Sequence, residues 1–247
     1  MKKPLAITDL TRMQHGRVCV AGYDAEGRCV RPVLPPPGIA EPSLMAGGKP
    51  IVFPFAVVEY DLLKHTPQPP HTEDYRYDPA SVRLIRPVRK RQALLEQSVF
   101  ETVCAIFEQP VHDDFGFYVM DGRGPRSIGT IRPQAILKVI YEPGPEGVWD
   151  YRLSFVDGET ALYRLKIVDL TWHYYCDSLR SEDRTPAQIA SELAGVLKTS
   201  TVYLRIGLSR GWAKFPERCY LQVTAVYTFP DYLGGKTFAD FAPKSFP

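Results

Sequence analysis

The sequence predicts a mainly β protein with a few helices, divided into two domains. Three observations point that way. Proline supplies 23 of the 247 residues, about twice its usual share of roughly 5%. Prolines punctuate strands and disfavour long helices, and the 14 Tyr and 12 Phe that accompany them are at home in strands. Strand candidates stand on both sides of a glycine cluster, Gly116, Gly122, Gly124 and Gly129, with clear alternation of apolar and polar residues in the second half. The boundary therefore falls in Asp113–Gly129, with domains at about 1–115 and 125–247.

The N-terminal half opens with Val18–Gly22 and Arg28–Val33, a hairpin around Asp24-Ala25-Glu26-Gly27. Ile51–Leu63 reads as a long strand and Val82–Pro87 as another. Gln92–Phe107 reads as one helix, with Leu95, Val99, Val103 and Ile106 on one stripe and Pro110 beyond its end.

The C-terminal half is more regular. Ile131–Tyr141 is an apolar strand. In Trp149–Val156, residues Trp149, Tyr151, Leu153 and Phe155 share one face, and Ala161, Tyr163, Leu165 and Ile167 share a face in the next strand. A two-residue Asp157-Gly158 loop would set the apolar face of one strand over Leu162, Arg164 and Lys166. A three-residue loop pairs Leu153 with Tyr163 and Tyr151 with Leu165, and burial favours that register. After an aromatic connection, Trp172–Tyr175, the residues Thr185-Pro186-Ala187-Gln188 form a capping box that starts a helix, with Ile189, Leu193 and Val196/Leu197 buried. Val202–Leu208 and Cys219–Phe229 are the last strands. Three strands, a helix and two strands is the order of an OB-fold barrel; an SH3-like barrel or a small α+β sheet fits the order as well.

Composition excludes several classes. With 45% hydrophobic and 23% charged residues the chain is neither disordered nor a disulfide-stapled miniprotein. A formal charge of +2 excludes a global polycation, so any basic function is local. The five cysteines are scattered, without zinc spacing, and suggest buried thiols in a reduced, cytoplasmic chain. The first ten residues lack a signal-peptide apolar run, and Ile51–Val58, broken by Pro54, is too short to span a bilayer. No Walker A, GxGxxG, HExxH or GxSxG motif is present. No cofactor is expected.

Several motifs carry a resemblance. Ile7-Thr8-Asp9-Leu10-Thr11-Arg12-Met13 precedes Gly16-Arg17-Val18-Cys19-Val20-Ala21-Gly22 and Gly27-Arg28-Cys29-Val30-Arg31-Pro32. Near the other end stand Leu208-Ser209-Arg210-Gly211-Trp212, Cys219-Tyr220-Leu221-Gln222-Val223, Phe229-Pro230-Asp231-Tyr232 and Lys236-Thr237-Phe238-Ala239-Asp240-Phe241. Together they resemble the bacterial dual OB-containing domain family, with little contribution from residues 34–125. The resemblance implies two OB-like barrels and a nucleic-acid role. It implies no catalytic residues.

The leading candidate site is the loop Ser209–Arg218. Arg210, Lys214 and Arg218 would meet phosphate, and Trp212 and Phe215 would stack on bases. Packing of both aromatics into a barrel mouth is the competing structural reading. A second basic patch, Arg83, Arg86 and Arg89, lies in a nine-residue stretch without an acid. Ordinary solvation of that face competes with a phosphate-binding role. Three Arg-Pro pairs, at 31–32, 86–87 and 132–133, are strand-end punctuation or arginines reaching across a barrel mouth. His173 and Asp177 would share a helix face, and His112-Asp113-Asp114 would suit a divalent ion only with further carboxylates. Core aromatics and a solvated linker are the preferred readings of those two.

The expected function is non-catalytic binding of single-stranded or structured DNA or RNA. The alternative is a protein-interaction adaptor in a larger nucleic-acid-processing or defence complex. A metal-dependent nuclease is the third reading, and it needs carboxylates converging in one cleft.

Overall fold

The computed structural model describes residues 1–243. The first barrel contains β1 (Lys2–Arg12), β2 (Arg17–Tyr23), β3 (Cys29–Val33), β4 (Ala56–His65) and β5 (Asp74–Pro87). β1 bends: Lys2–Ala6 pairs with β4, and Ala6–Arg12 pairs with β2. β2–β3 and β4–β5 are antiparallel, and β3 runs parallel to β5. The hydrogen bonds close a ring β1-β2-β3-β5-β4, the topology of an OB-fold. Leu5, Ile7, Val18, Val20, Val30, Val58 and Tyr60 fill it. The predicted hairpin is present: the Asp24 carboxylate accepts from the backbone of Glu26 and Arg28, and Gly27 takes φ 74°. No α-helix links β3 to β4; a 3₁₀ turn, Glu41–Leu44, lies there.

The predicted helix over Gln92–Phe107 is broken in two. α1 (Arg91–Glu96) ends before β6 (Val99–Phe100), and α2 (Val103–Phe107) follows. β6 runs parallel to β8 (Ile128–Ile131), beyond β7 (Phe117–Met120) in sequence. The Thr102 hydroxyl caps α2 by accepting from Ala105 N. A local capping residue and a long-range strand partner thus override the apolar stripe. Val103, Ile106, Phe107 and Val119 are buried in the second core, so residues 99–120 are bonded to the second sheet, whereas the sequence placed them up to 115 in the first domain.

The second barrel continues with β9 (Ala135–Pro143), β10 (Trp149–Val156), β11 (Leu162–Ile167), α3 (Leu170–Ser181), α4 (Pro186–Thr199), β12 (Thr201–Leu208) and β13 (Arg218–Phe229), and α5 (Phe238–Phe241) follows. β8 pairs with β12 and β9 pairs with β10, so β8 and β9 form one first strand split at Arg132-Pro133-Gln134. β10–β11 is antiparallel, β11 runs parallel to β13, and β13 pairs with β12. This is the OB order again, with two helices in place of the expected one. Asp169 creates the unforeseen α3: its carboxylate accepts from the Thr171 and Trp172 N–H groups at the helix start. The capping box of α4 forms as predicted.

The β10–β11 register differs from the three-residue loop. Leu153 faces Leu165, and Phe155 faces Tyr163. The apolar faces still coincide, because the slip is two residues and preserves parity. The wider loop is organised by Asp157, whose Oδ1 accepts from Glu159 N and Ala161 N while Oδ2 accepts from Val103 N. Among the described residues no helix is long and apolar enough to cross a membrane.

Candidate nucleic-acid interface

An OB barrel presents its second and third strands, flanked by the loops between strands one and two and between strands four and five, as its usual ligand face. The two barrels treat this face differently. In the first, the outward residues of β1, β2 and β3 meet the second barrel. Arg205 of β12, fully buried, donates to Asp9 Oδ2 at 2.9 Å, to the Tyr23 hydroxyl and to Thr130 Oγ1 at 2.8 Å. Thr224 Oγ1 donates to Asp9 Oδ1 at 2.6 Å, and the Tyr227 hydroxyl donates to the Thr8 carbonyl at 2.8 Å. This face is sealed by a polar network.

In the second barrel the face is open. Tyr151, Leu153 and Phe155 of β10 and Tyr163, Leu165 and Ile167 of β11 point inward. The alternation therefore turns Arg152, Ser154, Arg164 and Lys166 outward. Arg152 stands opposite Lys166, which pairs onward with Gln222 of β13, and Lys138 of β9 faces Ser154. Further along β13, Cys219 and Leu221 point into the core, so Tyr220 points out. Tyr220 stands opposite Tyr118 of β7, and Tyr118 stands opposite His112. Ring centroids are 5.8 Å apart for Tyr118–Tyr220 and 5.1 Å for His112–Tyr118. The surface is an aromatic ladder that runs into Lys166, Arg164 and Arg152, the last of them paired with Asp150 at 2.7 Å.

The predicted loop Ser209–Arg218 borders this ladder. The Arg218 guanidinium lies 4.6 Å from the Tyr118 ring centroid and 4.4 Å from that of Phe215, and it pairs with Asp114 at 3.0 Å. Lys214 Nζ is 5.4 Å from the Phe215 centroid. Trp212 meets Phe215 edge-on at 6.1 Å and remains 59% exposed. Gly211 is required here, since a Cβ would lie 2.1 Å from the Pro216 carbonyl oxygen. Phe115, at the tip of the neighbouring hairpin with φ 53°, is 93% exposed.

Arg210 turns toward the first barrel and pairs with Asp74. Asp74 also accepts from buried Arg31 at 2.6 Å, so the Arg31-Pro32 pair holds an interior ion pair. The other predicted cations are elsewhere. Arg83 pairs with Glu59 at 3.1 Å, Arg86 is exposed and donates to the Pro87 carbonyl, and Arg89 is exposed beyond the end of β5. Arg83 faces Glu59 and Tyr75 faces His65, six residues apart on β4, so Arg83 lies on the order of 20 Å from Asp74. The structure therefore does not bring Arg83, Arg86 and Arg89 together with Arg210, Trp212, Lys214, Phe215 and Arg218. Sequence reading missed Tyr118, Tyr220, Phe115, Arg152, Arg164 and Lys166. The alternation at 151–166 was a usable signal, while the Tyr118–Tyr220 pairing joins segments about 100 residues apart.

Two polar groupings bring titratable side chains together. Cys219 Sγ lies 4.0 Å from His71 Nε2 and 3.4 Å from Asp121 Oδ1. Arg31 Nη2 is 3.0 Å from His71 Nδ1, and a guanidinium only donates, so the imidazole proton sits on Nε2, facing the sulfur. Burial, with Arg31 and Arg210 nearby, pushes His71 down to about 3, and burial with Asp121 pushes the Cys219 thiol up to about 12. A neutral imidazole with its proton toward a neutral thiol is a structural contact, not an activated nucleophile. His173 stacks on Tyr151 with centroids 3.7 Å apart, and Asp177 accepts from the Tyr141 and Tyr151 hydroxyls. Among the described residues no group of three or more His, Cys, Asp or Glu is placed to hold a metal ion, His112-Asp113-Asp114 included.

No curated protein matches the chain. A family model described as the dual OB-containing domain matches residues 10–226. Two OB barrels, traced strand by strand, and a match over most of the sequence agree: the chain belongs to the dual OB-containing domain family.

Proposed function

We propose that the protein binds single-stranded DNA or RNA, without catalysing a reaction on it, along the outer face of the second barrel. The observation that carries this reading is the His112–Tyr118–Tyr220 ladder, continued by Arg152 and Lys166. Single strands are held by aromatic platforms that accept any base and by cations that follow the backbone. Trp212 and Phe115 extend the platform from the two bordering loops, and Lys214 and Arg218 supply charge beside them. The sealed face of the first barrel supports a single track in place of two equivalent OB sites.

The test is fluorescence anisotropy with labelled single-stranded DNA, single-stranded RNA and duplex DNA at low and near-physiological salt. Single strands are expected to bind better than duplex, and binding to weaken as salt rises. Trp212→Ala is expected to cost about 1–3 kcal/mol of binding, with a melting temperature unchanged because the ring is largely exposed. Arg83→Gln, on the remote patch, is expected to bind like the wild type. Absence of binding to all three ligands at low salt would overturn the proposal.

A second reading, a docking module for a protein partner, rests on one feature. A groove of about 580 Å³ lies between β9 and α4, lined by Leu137, Ile140, Ala187, Ala190 and Ala194. Binding to no nucleic acid would shift attention to that groove.

A further inference from the structure

We propose a second phosphate-binding subsite at the seam of the two barrels, formed by Lys64 and Arg76 of the first barrel with Arg210 of the second. It extends the strand track from the second barrel onto the first. The inference rests on the nucleic-acid reading above and deepens it.

Lys64 of β4 and Arg76 of β5 are directly opposite one another, so their side chains leave the ribbon on the same face. Both are exposed. On its other side Arg76 neighbours Val33 of β3, which brings no charge. Among the described residues no acidic side chain lies within ion-pair distance of Lys64 or Arg76. Two like charges directly opposite each other lower the stability of a sheet, and a phosphate between them reverses the sign of that interaction.

The acids nearby, Glu73 and Asp74, are already engaged. Asp74 lies two residues before Arg76 on the same outward face of β5, about 7 Å away along the strand. It is buried and shared between Arg31, at 2.6 Å, and Arg210. Glu73, likewise buried, lies 3.6 Å from Arg31 and accepts from Ser127, so both acids are taken by other groups and leave nothing for Arg76. Arg210 keeps 53% of its side chain exposed while bound to Asp74, and a guanidinium has five donors, so N–H groups remain for a ligand. Arg210 stands in the loop that carries Trp212 and Lys214. The loop thereby joins the aromatic platform of one barrel to the unpaired cations of the other.

The bulge in β4 supports the arrangement. Leu62 pairs with Tyr77 and Lys64 with Arg76, so Leu63 is the extra residue. Without that insertion Leu63 would face Arg76 and Lys64 would face Tyr75, removing the cation pair.

Affinity as a function of oligonucleotide length tests the proposal. Labelled single strands of about 6 and about 24 nucleotides bracket the roughly 4–16 nucleotides that one OB-fold covers. Lys64→Gln combined with Arg76→Gln is expected to weaken the long strand on the order of tenfold near 0.1 M salt, and to lower its salt slope by about 1.4 for two lost phosphate contacts. The short strand, seated on the second barrel, is expected to bind unchanged. Melting of the double variant is expected to be equal to or slightly above that of the wild type, since a repulsive pair has been removed. Equal affinity of the variant and the wild type for the long strand would overturn the subsite and leave the second-barrel reading standing. A matching loss for both lengths would also overturn it, because the cations would then act through the general field. Failure of the wild type to bind either strand would overturn both readings.

Discussion

Replacing Arg205 by methionine tests whether the seam between the barrels is held by its polar network. The side chain is fully buried, with Asp9 Oδ2 at 2.9 Å from Nε and 2.8 Å from Nη2. Methionine fills much of the volume but leaves Asp9, 2% exposed, without its counter-charge. Breaking one partner of a buried pair costs about 3–5 kcal/mol. Asp9 retains the hydroxyls of Thr8, at 2.8 Å, and Thr224, at 2.6 Å, which places the expected loss at the lower end, about 3 kcal/mol. For a chain of this size that is a drop of about 10 °C in melting temperature. Urea unfolding followed by circular dichroism measures it. Asp9→Asn added to Arg205→Met is expected to recover part of the loss, since the stranded charge is gone. A single variant within about 1 kcal/mol of the wild type would refute the reasoning, because Asp9 would then not depend on Arg205.

The remaining predictions concern pH and glycine positions. Burial pushes His71 down to about 3 and His173 down to about 4, so both contribute stability that is complete above pH 6.5 and lost as pH falls toward those values. Burial pushes Asp169 up to about 7, so its contribution is present below its ordinary value of 3.8 and lost as pH rises through 7. Two groups against one leaves a net loss on acidification from 6.5 toward 4, on the order of 1.4 kcal/mol per pH unit; urea midpoints across that window check it, and a flat profile would contradict it. Gly22→Ala would set a Cβ 2.5 Å from the Ala6 carbonyl oxygen, backbone that cannot yield between β1 and β2, and is expected to cost about 3 kcal/mol or more in thermal melting. Gly195→Ala in α4 meets nothing within 4 Å and is expected to stabilise by about 0.5–1 kcal/mol in the same assay.

Much of the fold was legible where local rules decide. The capping box at Thr185 and the Asp24–Gly27 turn depend on residues within a few positions of one another, and both form as read. The stretch 92–107 was misjudged because Val99 and Phe100 find a strand partner at Thr130 and Ile131, which no helical stripe reveals. The β10–β11 loop was placed two residues short because Asp157 bonds across it to Ala161 and onward to Val103. In the site, the mixture of cations and aromatics in Ser209–Arg218 was visible as composition. That Arg210 would turn to Asp74, and that Tyr118 would lie beside Tyr220, depends on the pairing of distant strands. The separation of Arg83, Arg86 and Arg89 from that loop likewise follows from the length of β5, whose start at Asp74 is set by its parallel pairing with β3.

The polar character of the seam also bears on how the chain is made. All five strands of the first barrel have been synthesised once Pro87 is added, yet the Arg205 that meets Asp9 is translated about 120 residues later. At roughly 5–20 residues per second the nascent barrel waits about 6–24 s for its partner. Over that interval the part of its face that Arg205 will cover shows water a carboxylate, hydroxyls and a tyrosine, while Phe55, whose ring meets Tyr227 at 4.6 Å, still lacks its apolar partners. The charge of Asp9 thus stays hydrated through synthesis, and Arg205 neutralises it only when the second barrel arrives to cover it.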